Sequence, residues 1–535
     1  MAAKRATLVA CILGSGIVFL DGTIVNIALP ALRRDFDAGL SAQQWVLDAY
    51  LLTLGALLLL GGSLGDLLGR RRVFVTGVVS FGATSLLCAA APSVELLIAG
   101  RALQGIAGAL LVPSTLAIIV ATFDDEERGA AIGTWTAWTG AATVVGPLVG
   151  GLLVDHTSWR WVFAVNVPVV IATVALIRRA MPDEGGRRRD VHIDVTGAAL
   201  CGLGLGGIVF ALIEQPVLGW GDPGVIAPLV AGAALLVGFP LYERWSPEPM
   251  LPLGIFSARN FAVGNLATLM IYAGLSVVFF LVVVFLQGIA GYSALEAGLA
   301  LLPITVIMFF TSRRFGALAD RFGPHVFMTA GPLVAAVGLL LLRGLDADPS
   351  YVAEVLPGVV VFGVGLAMTV APLTATVLAG AEREHAGIAS AVNNAIARVA
   401  GLVGIALVGA VISARFDAAL NERIDTAALS ANARAAVESA QSKPLARSPV
   451  GSVPGSERPR LEAALKDASV ASFGLGIGVA AGLVGAGGLI SLAGIRNPRR
   501  EVKAEDCPGG AICGAPRESR PAAALHHVIR THARA

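Results

Sequence analysis

Gly62-Ser63-Leu64-Gly65-Asp66-Leu67-Leu68-Gly69-Arg70-Arg71 and, far downstream, Gly316-Ala317-Leu318-Ala319-Asp320-Arg321-Phe322-Gly323 share the pattern Gly-x-Leu-x-Asp-x-x-Gly. Each copy joins two long apolar runs, so the pattern reads as a tight turn between helices that recurs in one topological slot. A turn repeated in this way argues for a chain built from duplicated halves.

The runs around these turns fix the class. The chain has 535 residues, 56% hydrophobic and 14% charged, against roughly 45–50% apolar and about 25% charged in soluble proteins. It is a chain dissolved in lipid. A net charge of +2 is too small for a nucleic-acid partner. A bilayer core about 30 Å thick needs about 20 apolar residues per helix, and by that measure we expect about fourteen spans, centred from Val18 to Gly482. The weakest pair is the seventh and eighth, with Glu214, Gln215, Trp220, Gly221 and Asp222 expected in its connecting turn. The expected organisation is all-α and integral to the membrane. A first six-helix bundle occupies 1–180, a linker and inserted helix pair 181–259, and a second six-helix bundle 260–495, with a long external loop at about 414–468 that forms a polar cap or helical hairpin. A disordered tail at 496–535 completes the chain. The basic start at Lys4 and Arg5 looks like a secretory signal, but its apolar run continues to Leu29 without a small-residue cleavage site and is read as a retained span.

Arginine sets the orientation. Counting loops from the N-terminus, the even loops hold Arg70, Arg71, Arg72, Arg128, Arg178, Arg179, Arg187, Arg188, Arg189, Arg244, Arg259, Arg313, Arg314, Arg321 and Arg383, whereas the short odd loops hold Arg33, Arg34, Arg160 and Arg343. Basic residues stay on the cytoplasmic side, so both termini are expected there. Cys11, Cys88 and Cys201 lie in apolar runs and read as small hydrophobes. Cys507 and Cys513 share the tail with His526, His527 and His532, a set that matches no zinc spacing; neither a metal nor a cofactor is expected.

A charge inside a span is costly and needs a reason. Asp21 stands in Ile17-Val18-Phe19-Leu20-Asp21-Gly22-Thr23-Ile24-Val25-Asn26. Counted from Pro30 it lies about 13 Å below the outer end of its helix, and Arg101, counted from Ser93, lies about 12 Å below the same end. The two are therefore expected to meet. The functional reading is a protonatable carboxylate regulated by a neighbouring arginine; the bland one is a static ion pair that fixes packing. Asp48 is expected nearer the outside, as a second protonatable group or as a carboxylate solvated at the interface. In Gly140-Ala141-Ala142-Thr143-Val144-Val145-Gly146-Pro147-Leu148-Val149-Gly150-Gly151, Gly146 and Gly150 share a helix face that permits close approach, and Pro147 bends the helix. Asp66 reads as an acceptor for backbone NH groups at a helix start, while Arg70 and its neighbours face anionic lipid or simply mark the cytoplasmic side.

With these residues in hand, the sequence resembles the major facilitator superfamily, and within it the fourteen-helix drug:proton antiporters of multidrug efflux. The likeness covers residues 5–495 and rests on four motifs in order: Leu20 to Pro30, Gly62 to Arg71, Leu97-Ile98-Ala99-Gly100-Arg101-Ala102-Leu103-Gln104-Gly105-Ile106-Ala107-Gly108, and Gly140 to Gly151. The stretch Ser158-Trp159-Arg160-Trp161 to Asn166-Val167-Pro168 is also usual in the group. The resemblance implies a monomeric protein of the plasma membrane that exports small hydrophobic or amphipathic molecules by alternating access, driven by protons. It implies Asp21, Arg101 and Asp48 as the proton-coupling set. It implies Gly62, Asp66, Gly69, Arg70 and Asp320 as the loop motif that locks a cytoplasmic gate, and Gly140, Gly146, Pro147, Gly150 and Gly151 as the antiporter motif. Some cation exporters of the group carry extra acids in the second half, but none lies between Phe261 and Gln287, and the thirteenth span carries Arg398. This departure argues against dicationic substrates and leaves hydrophobic, neutral or monovalent cationic compounds.

Two further readings come from the residues. A dedicated exporter of one endogenous metabolite, lipid or siderophore would carry the same coupling motifs. An enzyme would need a catalytic cluster, whereas His156, His192, His325 and His385 are scattered and no Ser-His-Asp set or phosphate-binding loop is present.

Overall fold

The computed structural model describes residues 2–180, 194–247, 249, 251–379, 386–424, 429–446 and 450–497. The side chains of Asp66 and Asp320 and the Cys/His tail lie outside the described residues. The first half comprises α1 (Ala2–Phe36), α2 (Leu40–Leu68), α3 (Arg70–Ala89), α4 (Val94–Thr122), α5 (Asp125–His156), and the collinear α6 (Trp161–Ala164) and α7 (Asn166–Ala180). Next come α8 (Val195–Leu218) and α9 (Pro223–Trp245). The second half comprises α10 (Arg259–Gly288), α11 (Ala294–Phe322), α12 (Pro324–Leu342), α13 (Leu356–Ala379), α14 (Ala386–Asn421), a short α15 (Ala431–Ser442) and α16 (Arg458–Gly494).

Thirteen helices among the described residues are long and apolar enough to cross a membrane, α6 and α7 together forming one of them. The 29-residue α2 occupies the remaining expected position. Local chemistry explains where helices begin and end. Ser93 caps α4 by accepting from Leu96 N at 3.4 Å, and Ser293 forms a capping box with Glu296 at the start of α11. The two repeated turns end at Gly69 with φ 96° and Gly323 with φ 92°. Both lie in a backbone region that glycine alone enters without strain, so the sequence repeat is a repeat of backbone geometry.

The sequence expectation needs one correction. Glu214 and Gln215 are not in the turn of the inserted pair, because α8 continues to Leu218 and the turn is confined to 219–222. There Glu214 accepts from Trp45 Nε1 at 2.7 Å and Ser41 Oγ at 3.1 Å, which ties α8 to α2. The region 414–468, expected as a polar cap or helical hairpin, is largely helix, the second of the two forms. α14 runs on to Asn421 and α16 starts at Arg458; at 37 residues the latter is about 55 Å long, well beyond the roughly 30 Å of a hydrocarbon core. Where α14 ends and α16 begins, Phe416, Leu420, Val437, Leu461 and Leu465 build a small separate core with α15.

Within the halves, α1 packs on α5 and α7, and α4 on α2 and α3; in the second half α10 packs on α14 and α16, and α12 on α13 and α16. Across the seam α2 meets α14 and α5 meets α11. The second helix of each half thus faces the fifth of the other, as duplication with two-fold pseudosymmetry requires. On the odd-loop side one continuous core joins both halves, from Ile24 and Leu32 through Val277 and Leu286 to Ile304 and Phe473. Towards the even-loop side there are two cores, one of α1–α5 and α7 around Phe74 and Leu111, the other around Phe261, Met328 and Val377. The halves therefore share a core at the odd-loop end, while at the even-loop end each has its own.

Candidate functional site

Asp21 and Arg101 meet in the first half, both essentially without exposure. Arg101 Nη1 donates to Asp21 Oδ2 at 2.5 Å and to Gln104 Oε1 at 2.7 Å, and Nε donates to the Val46 carbonyl at 2.9 Å. The other carboxylate oxygen, Oδ1, accepts from Gln104 Nε2 at 3.1 Å and Asn166 Nδ2 at 3.5 Å. Ser85 Oγ closes the ring by accepting from the same two amides, at 2.9 and 3.3 Å. Helices α1, α2, α3, α4 and α7 thus converge on one carboxylate. The Tyr50 ring lies 4.2 Å from Arg101 Cζ and shields the guanidinium from solvent.

The arrangement has a chemical consequence. Proton transfer to Asp21 removes the negative charge facing Arg101, yet Arg101 keeps Gln104 Oε1 and the Val46 carbonyl as acceptors. A buried guanidinium left with no acceptor would be severely penalised; this one has a second set in place. Gln104, Ser85 and Asn166 were not singled out from the sequence. Their signal was that of single polar side chains in apolar runs, with Gln104 three residues from Arg101 on one helix face.

Asp48 makes no bond with either member of this pair. It is not solvated at an interface: it is fully buried, and neither carboxylate oxygen has a hydrogen-bond partner among the described residues. Gln44, one turn away on the same face of α2, donates to the Ile405 carbonyl of α14 at 2.6 Å, which places Asp48 at the seam between the halves.

The glycine motif of α5 lies beside the ion pair and spans the seam. A Cβ at Gly146 would overlap Thr23 Oγ1, and one at Gly150 would stand 2.8 Å from Ile24 Cγ1, so α5 lies directly on the α1 segment that carries Asp21. Gly151 faces the other half: a Cβ there would fall 2.5 Å from Leu295 Cα of α11, while Gly298 of α11 approaches the Pro147 carbonyl. Gly140 has nothing near it. One residue group at this seam escaped the sequence reading. Asp155, at the end of α5, accepts from the backbone NH groups of Ala294 and Leu295 at 3.1 and 2.8 Å, at the N-terminus of α11. Gln287 adds a bond to the Ile27 carbonyl at 3.1 Å, Arg33 reaches the Leu445 carbonyl at 3.4 Å, and Lys443 pairs with Asp37. In the loop motif, Arg70 Nη1 donates to the Ala117 carbonyl of α4 at 3.1 Å, within its own half, and Gly62 packs against Pro113.

Two six-helix halves packed together at one end through small residues, with a buried ion pair in the first half beside that packing, define a membrane transporter rather than an enzyme. The family model of the Major Facilitator Superfamily matches residues 11–405, and the chain belongs to that superfamily. It is 40% identical over 401 residues to the puromycin resistance protein of Streptomyces alboniger, covering 74% of this chain and 79% of that one. It is 34% identical over 491 residues to the tetracenomycin C resistance and export protein of Streptomyces glaucescens, covering 91% and 90%. The fold is similar to that of a bacterial homologue of the human lysosomal transporter Spinster in an inward-facing, unoccupied conformation, with TM-score 0.60 at 16% identity over 93% of this chain and 99% of that one.

Proposed function

We propose that this transporter exports hydrophobic or amphipathic small molecules, antibiotics among them, in exchange for protons. The observation that carries the proposal is the enclosed Asp21–Arg101 pair, whose guanidinium retains acceptors in either protonation state of the carboxylate. In this reading Asp21 takes and releases the proton, Arg101 regulates it, and Asp48 at the seam is a second protonatable group. Gly146, Pro147, Gly150 and Gly151 let α5 close against α1 and α11, and Gly62, Asp66, Gly69, Arg70 and Asp320 serve the opposite gate. The arginine-rich even loops put both termini in the cytoplasm of a plasma-membrane protein, so the sealed odd-loop side is external and the state described faces inward. Two of its relatives are named for resistance to, or resistance to and export of, the antibiotics puromycin and tetracenomycin C, which supports export over uptake.

The test is a panel of antibiotics and dyes in a host stripped of its own pumps, with and without a proton uncoupler. The reading expects resistance to several compounds and cell-associated dye that rises when the uncoupler is added. Resistance that survives full uncoupling would contradict proton drive. Resistance to a single compound, with that compound's relatives accumulating in a deletion strain, would favour the dedicated metabolite exporter.

A further inference from the structure

Arg398 stands on α14 with its Cβ against α2, since a Cβ built on Gly55 would come within 3.4 Å of it. Its guanidinium carbon lies 5.6 Å from the centre of the Phe19 ring on α1, so a side chain of the second half ends against the first. Residue 398 is about 18 Å along α14 from Ala386, and Phe19 about 22 Å along α1 from Lys4. Both are deep within a core about 30 Å thick.

The two arginines at this depth have opposite surroundings. Arg101 is enclosed by Asp21, Gln104 and the Val46 carbonyl. Arg398 is half-buried, and among the described residues it is paired with neither a carboxylate nor a hydrogen-bond acceptor. Its guanidinium faces the Phe19 ring. A guanidinium at the middle of a span is retained where it pairs or where it serves a pathway. With no anion supplied by the described residues, the partner comes from the cargo.

We propose that Arg398 receives the anionic group of the transported molecule, so that the favoured substrates are amphipathic organic anions bearing a carboxylate, sulfonate or ionised phenol on an aromatic body. The planar fork of the guanidinium matches such oxyanions, and the Phe19 face suits a flat apolar body. Depth excludes a phospholipid headgroup as the natural occupant. The site also touches both halves, Arg398 from one and Phe19 from the other, so an anion held there is contacted by the two bodies whose relative motion moves it. The proposal rests on the export reading and narrows its substrate class.

The test uses the full chain in proteoliposomes under a proton gradient with two matched probes, anilinonaphthalene sulfonate and the neutral phenylnaphthylamine, which shares its rings but lacks the sulfonate. Gradient-driven movement of phenylnaphthylamine by the wild type tests export alone; its absence would count against the parent reading. For the anion site, the wild type moves the sulfonate, Arg398→Gln weakens its apparent affinity about tenfold while phenylnaphthylamine changes less than about twofold, and Arg398→Lys restores most of the sulfonate transport. A second readout needs no variant: the sulfonate slows labelling of Arg398 by phenylglyoxal, read by mass spectrometry, and phenylnaphthylamine does not. Sulfonate transport indifferent to Arg398→Gln, equal loss for both probes, no wild-type transport of the sulfonate, or labelling that the sulfonate leaves unchanged would each overturn the anion site.

Discussion

Arg101 Nη1 is shared between Asp21 Oδ2 at 2.5 Å and Gln104 Oε1 at 2.7 Å, one donor atom serving a charged acceptor on α1 and a neutral one on its own helix. In the proposed exchange the arginine is the fixed post and the carboxylate the member that changes state. Arg101→Ala strands a buried carboxylate and should lower stability by about 3–5 kcal/mol. Arg101→Lys keeps the charge but cannot reach Asp21, Gln104 and the Val46 carbonyl together. We expect it to fold, with thermal unfolding close to that of the wild type, and to transport at least about tenfold more slowly. A lysine variant with wild-type turnover would show that the fork geometry is immaterial.

Asp48 presents the contrary case, a buried carboxylate with no bond on either oxygen. Replacing it breaks no ion pair, so Asp48→Asn should leave stability within about 1 kcal/mol of the wild type. Proton-driven transport should nonetheless fall in that variant and persist in Asp48→Glu. Full gradient-driven transport in Asp48→Asn would remove Asp48 from the coupling set.

The seal between α5 and α11 depends on the missing side chain at Gly151, where even a Cβ would fall 2.5 Å from Leu295 Cα. Gly151→Leu should hold the halves apart at the odd-loop end. Transport should be abolished while expression is retained, and a membrane-impermeant thiol reagent should label a cysteine introduced at Ala28, which is buried in the sealed core, far faster than in the wild-type background. Unchanged labelling would mean that the seal lies elsewhere.

Asp155 adds an electrostatic latch by accepting from the first NH groups of α11 at 3.1 and 2.8 Å. An anion at a helix N-terminus contributes about 0.3–1 kcal/mol. Asp155→Asn keeps an acceptor but loses the charge, so the same labelling assay should report a twofold to fivefold increase in opening, on the order of that energy. No change in labelling would reduce Asp155 to an ordinary cap.

The span pattern was legible because lipid demands long apolar runs, and the meeting of Asp21 with Arg101 was legible because helical rise converts residue counts into depth. The repeated turn was legible too, since Gly69 and Gly323 both take a positive φ. What stayed hidden depends on side-chain direction or on water. Gln104, Ser85 and Asn166 look like ordinary polar residues until five helices place them around one carboxylate. Asp155 looks like the end of a span until α11 arrives from the other half. At 414–468 the choice between a polar cap and a helical hairpin stayed open, because the small core of Phe416, Val437 and Leu461 that holds its helices depends on side-chain direction.

The central claim is that Asp21 carries the exchanged proton. It is tested most directly by substrate-induced proton release in everted vesicles, compared between the wild type and Asp21→Asn. The account predicts release in the wild type and none in the variant, with substrate still equilibrating downhill because the amide oxygen keeps its hydrogen bond from Arg101. Proton release of undiminished size in Asp21→Asn would contradict it.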